Sequence, residues 1–391
     1  MPAPAVDLVV VGGGIIGLTI AREAARRGLS VSLFERDRPG RAASRAAAGL
    51  LSPQLEARQP GPLLTLGLAS RALYPSFLRA LHEESGLDVE LRSEGTLLMA
   101  RSAEDLADLE RLAAFQSAAG LRLDLLPPGE LLRREPSLAP GVVGGLHLPD
   151  EVSLDNVRLI QAVRRCALLA GVHIRSGAPV SRVTAASGRV TGVETNEGTL
   201  AAGAVVLAAG AWTGQVAVTG AVPLPSHPVR GQILCLASDG GAPRHVLVTR
   251  DHHYLVPRSD GRILIGSTME RVGFDTSVTA SALAKLAATA IGEVPGLAEA
   301  RFHSAWAGLR PATPDGLPAI GRGEPRGLWY ACGHLRNGIL LAPITAQAIV
   351  GMVCGEAPGV DLSGCEPARL TRPFPVADAT RVARPDPRPV A

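Results

Sequence analysis

Three stretches of the chain predict an α/β fold with two unlike halves. Residues 7–35 run strand, glycine turn, helix and strand, residues 172–211 return to short apolar strands, and residues 228–268 form a β-rich block. The first two belong together in a Rossmann-like nucleotide-binding domain. The third reads as the antiparallel sheet of a second, α+β domain suited to holding a substrate.

The opening unit rests on local chemistry. Val9, Val10 and Val11 make a β-branched run, Gly12-Gly13-Gly14-Ile15-Ile16-Gly17 turns the chain, and Ile16, Ile20 and Ala24 recur on one helical face. Gly28 stops that helix, residues 31–34 form the second strand, and Glu35 stands at its C-terminal end. Helical patterns follow at 63–84 and 103–119 on either side of a strand at 95–100, and Asp155 is placed to cap a helix over 156–169. Short strands at 172–174, 180–183, 190–194 and 204–211 then rejoin the nucleotide-binding sheet.

In the β-rich block the strands are 231–236, 254–257 and 262–267. A helix at 280–291, an apolar run at 302–309 and a Gly/Pro-rich passage over 310–323 come next, before a last strand at 329–333 and a last helix at 344–352. The chain thus divides into a discontinuous nucleotide-binding domain (1–85, 143–220 and 310–371) and a substrate domain (86–142 and 221–309). The Pro- and Arg-rich segment 372–391 has little to bury and reads as a disordered tail.

Composition narrows the function. Over 391 residues, 39 Lys+Arg stand against 36 Asp+Glu for a formal charge of +3, with no basic stretch interleaved with aromatics, so no nucleic-acid partner is expected. Cys166, Cys235, Cys332, Cys354 and Cys365 lie far apart with no CxxC pair, which argues against a metal site and for free thiols in a reducing compartment. The longest apolar stretch, 339–354, is interrupted by Pro343, Thr345 and Gln347 and falls short of the ~20 residues that span a bilayer. With no signal-peptide pattern before Asp7, a cytoplasmic protein without a membrane partner is expected.

Gly12, Gly14 and Gly17 match G-x-G-x-x-G after a strand and at the opening of a helix. The first permits a tight turn, the second lets backbone approach a pyrophosphate, and the third allows the helix to pack closely on the sheet. Phosphate charge is favoured at that helix N-terminus, and Glu35 is placed to accept hydrogen bonds from a ribose diol. This pattern serves NAD and FAD alike. The small-residue segments 41–49 and 204–210 favour a resident flavin, because both admit close contact with a cofactor.

Five motifs, GGGIIG, SRAAAGLLSP, DHHYLVPR, WAGLRPATPDGLPAIG and CGHLRNGILLAP, occur in order over residues 5–355. In them the chain resembles the D-amino-acid-oxidase-like FAD enzymes, and within that family most of all the glycine oxidases of thiamine biosynthesis. The resemblance implies noncovalent FAD, because relatives that attach flavin covalently carry a cysteine where residues 311–316 read PATPDG. It implies cofactor contacts from Gly12, Gly14, Ile15, Ile16, Gly17, Glu35 and Arg36, from Ser44, Ala47, Ala48 and Gly49, and from Val180, Ala209, Gly210 and Trp212. The turn of Gly333, His334, Arg336, Asn337, Gly338 and Ile339 would lie beside the flavin ring, with the N-terminus of the last helix toward it.

The same resemblance makes Arg310 the partner of a substrate carboxylate, a task that suits a guanidinium fork. Tyr254 would touch that carboxylate too, His252 and Met269 would line the pocket, and Arg336 would be a second pocket arginine. The implied reaction passes a hydride from the amino-acid Cα to flavin, leaving an imine, with molecular oxygen returned as hydrogen peroxide. No dedicated general base is needed if the amine binds neutral, and Asp251 and Asp315 are given no catalytic role. The implied substrate is glycine or another small amino acid, the imine would supply the thiazole half of thiamine, and relatives assemble as homotetramers. Rival readings are a D-amino acid dehydrogenase with a non-oxygen acceptor and a non-catalytic FAD-binding protein.

Overall fold

In the computed structural model, residues 6–370 are described, and the expected tail at 372–391 lies outside them. Strands Val6–Val11, Val31–Glu35 and His173–Ser176 pair in parallel, and on the other side of Val6–Val11 the parallel order continues through Gly198–Leu207 to Leu328–Cys332. Helix Ile15–Arg26 makes the first crossover. Both faces of this sheet are covered. Leu8 and Val10 pack among the residues of helices Ile15–Arg26, Asn156–Leu169 and Gly338–Val353, whereas Val9 and Val11 join Val183, Val193 and Val218 on the opposite face. Burial on two sides is why the opening strand reads as an unbroken apolar run rather than an alternation.

Strand Gly198–Leu207 serves two neighbours. Residues 198–201 pair with the antiparallel hairpin of Val180–Ala186 and Arg189–Thr195, and residues 205–207 pair with the last parallel strand. The expected strand at 204–211 stops at Leu207, because Gly210 at φ 57° opens the 3-10 helix Gly210–Gln215 and turns the chain out of the sheet. The helix over Asn156–Leu169 forms with the expected bounds, and the Asp155 carboxylate accepts from Val157 N (2.9 Å) and Arg158 N (3.0 Å), a cap worth about 1 kcal/mol.

The last helix differs from expectation. It runs Gly338–Val353, so Pro343 sits inside it rather than in its first turn. The N–H that proline lacks would have met the Ile339 carbonyl. That carbonyl accepts the Tyr74 hydroxyl instead, and Ser70 Oγ donates to the Leu340 carbonyl at 2.6 Å. Both donors come from helix Pro62–Ser85, which packs along this helix and keeps it continuous.

A second sheet of eight strands contains Arg301–Ala312, His227–Ala237, Arg262–Gly266, Tyr254–Pro257, Val246–Val248, Thr96–Ala100, Gly144–Leu148 and Asp124–Leu126, in that order. All pairs are antiparallel except Val246–Val248 with Thr96–Ala100. Its residues alternate between faces. Leu98, Val256 and Leu264 pack with Leu109 and Leu112 of helix Ala103–Ala118, and Leu97, Leu255 and Ile265 pack with Leu286 and Ala290 of helix Ala280–Glu293.

Two details depart from the sequence reading. Gly144–Leu148 belongs to this second sheet although it lies in the segment 143–220 expected to be nucleotide-binding, and strand Arg301–Ala312 runs across the expected boundary at 309–310. Within the Gly/Pro-rich 310–323, Ala319–Arg322 forms an edge strand against Leu328–Cys332. No helix among the described residues is long and apolar enough to cross a membrane.

Candidate active site

A cavity of about 430 Å³ opens where the C-terminal ends of the parallel strands meet one face of the second sheet. This is the place where open α/β sheets bind ligands. On the nucleotide side its wall is largely backbone. Gly12 has φ 110°, and a Cβ there would lie 2.4 Å from the Ala208 carbonyl oxygen, so only glycine fits the turn. A Cβ on Gly17 would lie 1.9 Å from the Gly12 carbonyl oxygen, which is why that position packs without lining the cavity.

Glu35 stands at the end of the second strand with its carboxylate turned to the glycine loop. Its carboxylate accepts Gly13 N at 2.8 Å and Asp37 N at 3.0 Å, which ties the glycine turn to the end of the second strand. Ser44 Oγ accepts Ile15 N at 2.9 Å, joining the 43–46 segment to the helix N-terminus. The Arg36 guanidinium lies 3.5 Å above the Trp212 ring, whose other neighbour is Phe274, stacked at a centroid distance of 5.3 Å. Val180, Ala209 and Gly210 complete this side.

The turn 333–338 supplies the junction. Gly333 (φ 74°) stands behind the wall, where a Cβ would lie 2.4 Å from Thr313 Cγ2, while His334, Arg336, Asn337, Gly338 and Ile339 face the cavity. Leu335 takes a left-handed φ of 46°, uncommon for such a side chain, and its N–H bonds the Pro311 carbonyl at 2.8 Å. Burial drives the His334 imidazole down to about 3, so it is neutral, and its Nε2 pairs with Thr345 Oγ1 at 3.1 Å. The first turn of Gly338–Val353 has no side-chain cap, which leaves its N–H groups and positive dipole end toward the cavity.

On the second-sheet side stand Tyr254 and Arg310. Two glycines make room for them: a Cβ on Gly231 would lie 2.2 Å from the Arg310 guanidinium, and one on Gly266 would lie 2.5 Å from the Tyr254 ring. Arg310 Nη1 donates to the Thr268 carbonyl at 3.0 Å and Nη2 to Ser267 Oγ at 2.5 Å. No carboxylate among the described residues lies within ion-pair distance of it. Burial lowers its pKa, with the neighbouring Tyr254 acting the other way. A guanidinium held in this state can donate to an incoming carboxylate.

Arg336, by contrast, already has a partner, Glu56 Oε1 at 3.0 Å. His252 and Met269 are not on the cavity wall. His252 sits in a turn at φ 58°, its pKa lowered chiefly by burial and further by Arg58 and Arg336. Met269 is 48 % exposed, because Thr268 accepts Gln232 N and Glu270 pairs with the Arg230 backbone, and the residue between them is left outside.

Several wall or supporting residues carried no sequence signal. Glu56 ends the four-residue helix Pro53–Glu56, and Ser267 follows a strand end. Arg258 is buried and donates to the Ala48 carbonyl at 2.8 Å, while Asn156 Nδ2 donates to the carbonyls of Ser44 (2.8 Å) and Arg45 (3.0 Å). Together they fix the 44–48 segment from two directions. Only the small-residue content of 41–49 hinted at so confined a strand of backbone.

The family model described as FAD dependent oxidoreductase matches residues 7–352. Glycine oxidase of Geobacillus kaustophilus is 36 % identical over 369 residues, covering 94 % of this chain and 97 % of that protein. The bifunctional protein ThiO/ThiG of Synechocystis is 36 % identical over 357 residues, 90 % of this chain and 52 % of that longer protein. The crystal structure of glycine oxidase from Geobacillus kaustophilus superposes with a TM-score of 0.90 at 34 % identity, covering 95 % of this chain and all of the other. The glycine cradle, the acid beside it and the open helix ends fit a flavin dinucleotide, and the chain belongs to the FAD-dependent oxidoreductase family, with FAD as its cofactor.

Proposed function

We propose that the protein oxidises glycine, or another small amino acid, to the imine, with molecular oxygen as the electron acceptor and hydrogen peroxide as the second product. The observation that carries this reading is Arg310, a guanidinium without a carboxylate partner that lines the same cavity as the nucleotide cradle. Bound FAD supplies the two-electron acceptor. The chain supplies orientation and charge.

Arg310 holds the substrate carboxylate, and its own bonds to Thr268 and Ser267 fix the plane of the fork before substrate arrives. The Tyr254 hydroxyl stands beside it as a second donor. Gly12, Gly14, Glu35, Ser44 and Ala48 would hold the dinucleotide, and the N-terminus of Gly338–Val353 would face the ring, where its dipole favours negative charge. His334, neutral above about pH 3, puts no competing cation there. The cofactor would be held without a covalent bond: residues 311–316 carry no cysteine, and burial pushes the thiol of Cys332, which lines the cavity, up to about 12. The names of the relatives, glycine oxidase and a fusion with ThiG, support glycine as substrate and thiazole synthesis as the destination of the imine.

The test is anaerobic addition of glycine to the purified yellow protein, followed by admission of oxygen. Bleaching of the flavin and then stoichiometric peroxide are expected. A flavin that no member of a dozen-amine panel bleaches would overturn the reading, and bleaching without peroxide would turn it into a dehydrogenase.

A further inference from the structure

The cavity wall carries three charged side chains where the second sheet meets the 333–338 turn: Arg310, Arg336 and Glu56. Glu56 and Arg336 satisfy each other at 3.0 Å with side chains 22 % and 23 % exposed, a half-buried pair rather than a loose surface contact. Subtracting that pair leaves one uncompensated cation, Arg310. The next charges outward, Arg58 and Asp251, act on His252 with opposite signs and add no net charge to the set.

Glu56 is also held in place. Its short helix is pinned from below by Gln54, whose N–H donates to Glu151 Oε1 at 2.9 Å and whose side-chain amide donates to Gln116 Oε1 and the Arg122 carbonyl, both at 3.2 Å. Gln116 Nε2 returns a bond to the Gln54 carbonyl at 2.8 Å. Gln54, Gln116 and Glu151 are all fully buried. A carboxylate on such a support keeps its position when a ligand enters.

We propose that Glu56 is a specificity-determining residue that restricts the site to amines bearing one carboxylate, by occupying the guanidinium of Arg336. This rests on the amino-acid oxidation proposed above. An amine with a single acid group neutralises Arg310 and leaves the Glu56–Arg336 pair intact. A second acid group can be neutralised only by Arg336, and to reach it must displace Glu56, leaving that carboxylate without its partner and beside a like charge. Discrimination between one and two acid groups therefore comes from a repulsive element already seated in the wall.

The test compares equilibrium binding of acetate and malonate, read from the perturbed flavin absorption of the holoenzyme, in wild type and in Glu56→Gln. In the variant, malonate is expected to bind at least tenfold more tightly while acetate changes by less than threefold. In Glu56→Gln with Arg336→Gln the net charge returns to that of the wild type, and the malonate gain is expected to vanish. Turnover follows the same rule: kcat/KM for D-aspartate relative to glycine rises at least tenfold in the single variant. Equal changes for both acids, no change for either, or a malonate gain that survives in the double variant would each overturn the proposal. Because acid binding is measured without turnover, failure of wild type to be reduced by glycine would strike the proposed reaction and leave this comparison readable.

Discussion

The two sides of the cavity are built by opposite means. The nucleotide side is largely backbone, most of it brought together within residues 8–49 and completed by Val180 and residues 208–212, and Gly12, Gly17, Glu35 and Ser44 act there across short stretches of chain. The substrate side consists of side chains from distant segments, with Glu56, Tyr254, Ser267, Arg310 and Arg336 converging from five elements or turns. A site made of backbone tolerates no added atoms, whereas one made of side chains loses one interaction at a time.

The sharpest break of that comparison is Gly17→Ala. Its Cβ would stand 1.9 Å from the Gly12 carbonyl oxygen, a backbone atom that cannot swing aside. A cost of roughly 3 kcal/mol or more, at the top of the overpacking range, is expected. The protein should purify with little or no flavin and a lowered Tm, so a fully yellow Gly17→Ala protein would mean that the cradle is softer than its geometry states.

Next in size is Arg310→Ala. Loss of a charge-assisted carboxylate pair, worth about 1.5 to 3 kcal/mol, raises KM for glycine roughly 10- to 150-fold. Arg310→Lys should recover only part of this, since one ammonium cannot reproduce two parallel bonds. Flavin content should stay that of the wild type. Unchanged glycine kinetics in Arg310→Ala would remove the residue from substrate binding.

His334 sits at the junction and tests the pair from a third direction. Its pKa is depressed from the ordinary 6.5 to about 3, so the unfolded chain takes up a proton that the native state refuses. Stability is therefore full above pH 6.5 and falls as pH drops below it, by about 1.4 kcal/mol between pH 7.5 and 5.5. His227, His252 and His253 shift in the same direction through burial. Replacing His334 with Gln should make the acid limb of stability shallower by that amount, read as the difference in chemical-denaturation free energy at the two pH values. An unaltered limb would show that this imidazole titrates freely in the native protein.

The contrast between the sides also decides what the sequence revealed. The first βαβ unit and the Asp155 cap are contests between neighbouring residues, so local pattern suffices to place them. Gly144–Leu148 is a strand only because Thr96–Ala100 and Asp124–Leu126 flank it, and its two glycines weaken any local signal. Helix Gly338–Val353 passes through Pro343 because Tyr74 satisfies a carbonyl from 265 positions away. Which way Met269 points depends on how Arg230 and Gln232 hold the chain beyond the strand, and His252 is set by a tight turn in which its N–H bonds the Thr249 carbonyl. Glu56 lies on four residues of helix, too few to show a period.

One side chain crosses from one side to the other and gives the smallest effect. Phe274 lies between the strand Arg262–Gly266 and helix Ala280–Glu293, in the chain of the second sheet, yet it stacks on Trp212 of the nucleotide side and keeps that ring against Arg36. Arg230, itself bonded to Glu270, Asp275 and Ser277, anchors the segment that carries it. An aromatic pair contributes about 0.5 to 1.5 kcal/mol, so Phe274→Ala should weaken FAD binding roughly two- to tenfold in a dissociation titration. KM for glycine should not move, because Tyr254 and Arg310 gain nothing from this stack. A variant with unchanged FAD affinity and a raised KM would assign the 267–279 excursion to the substrate side instead, and the division between a backbone cradle and a side-chain grip would have to be drawn elsewhere.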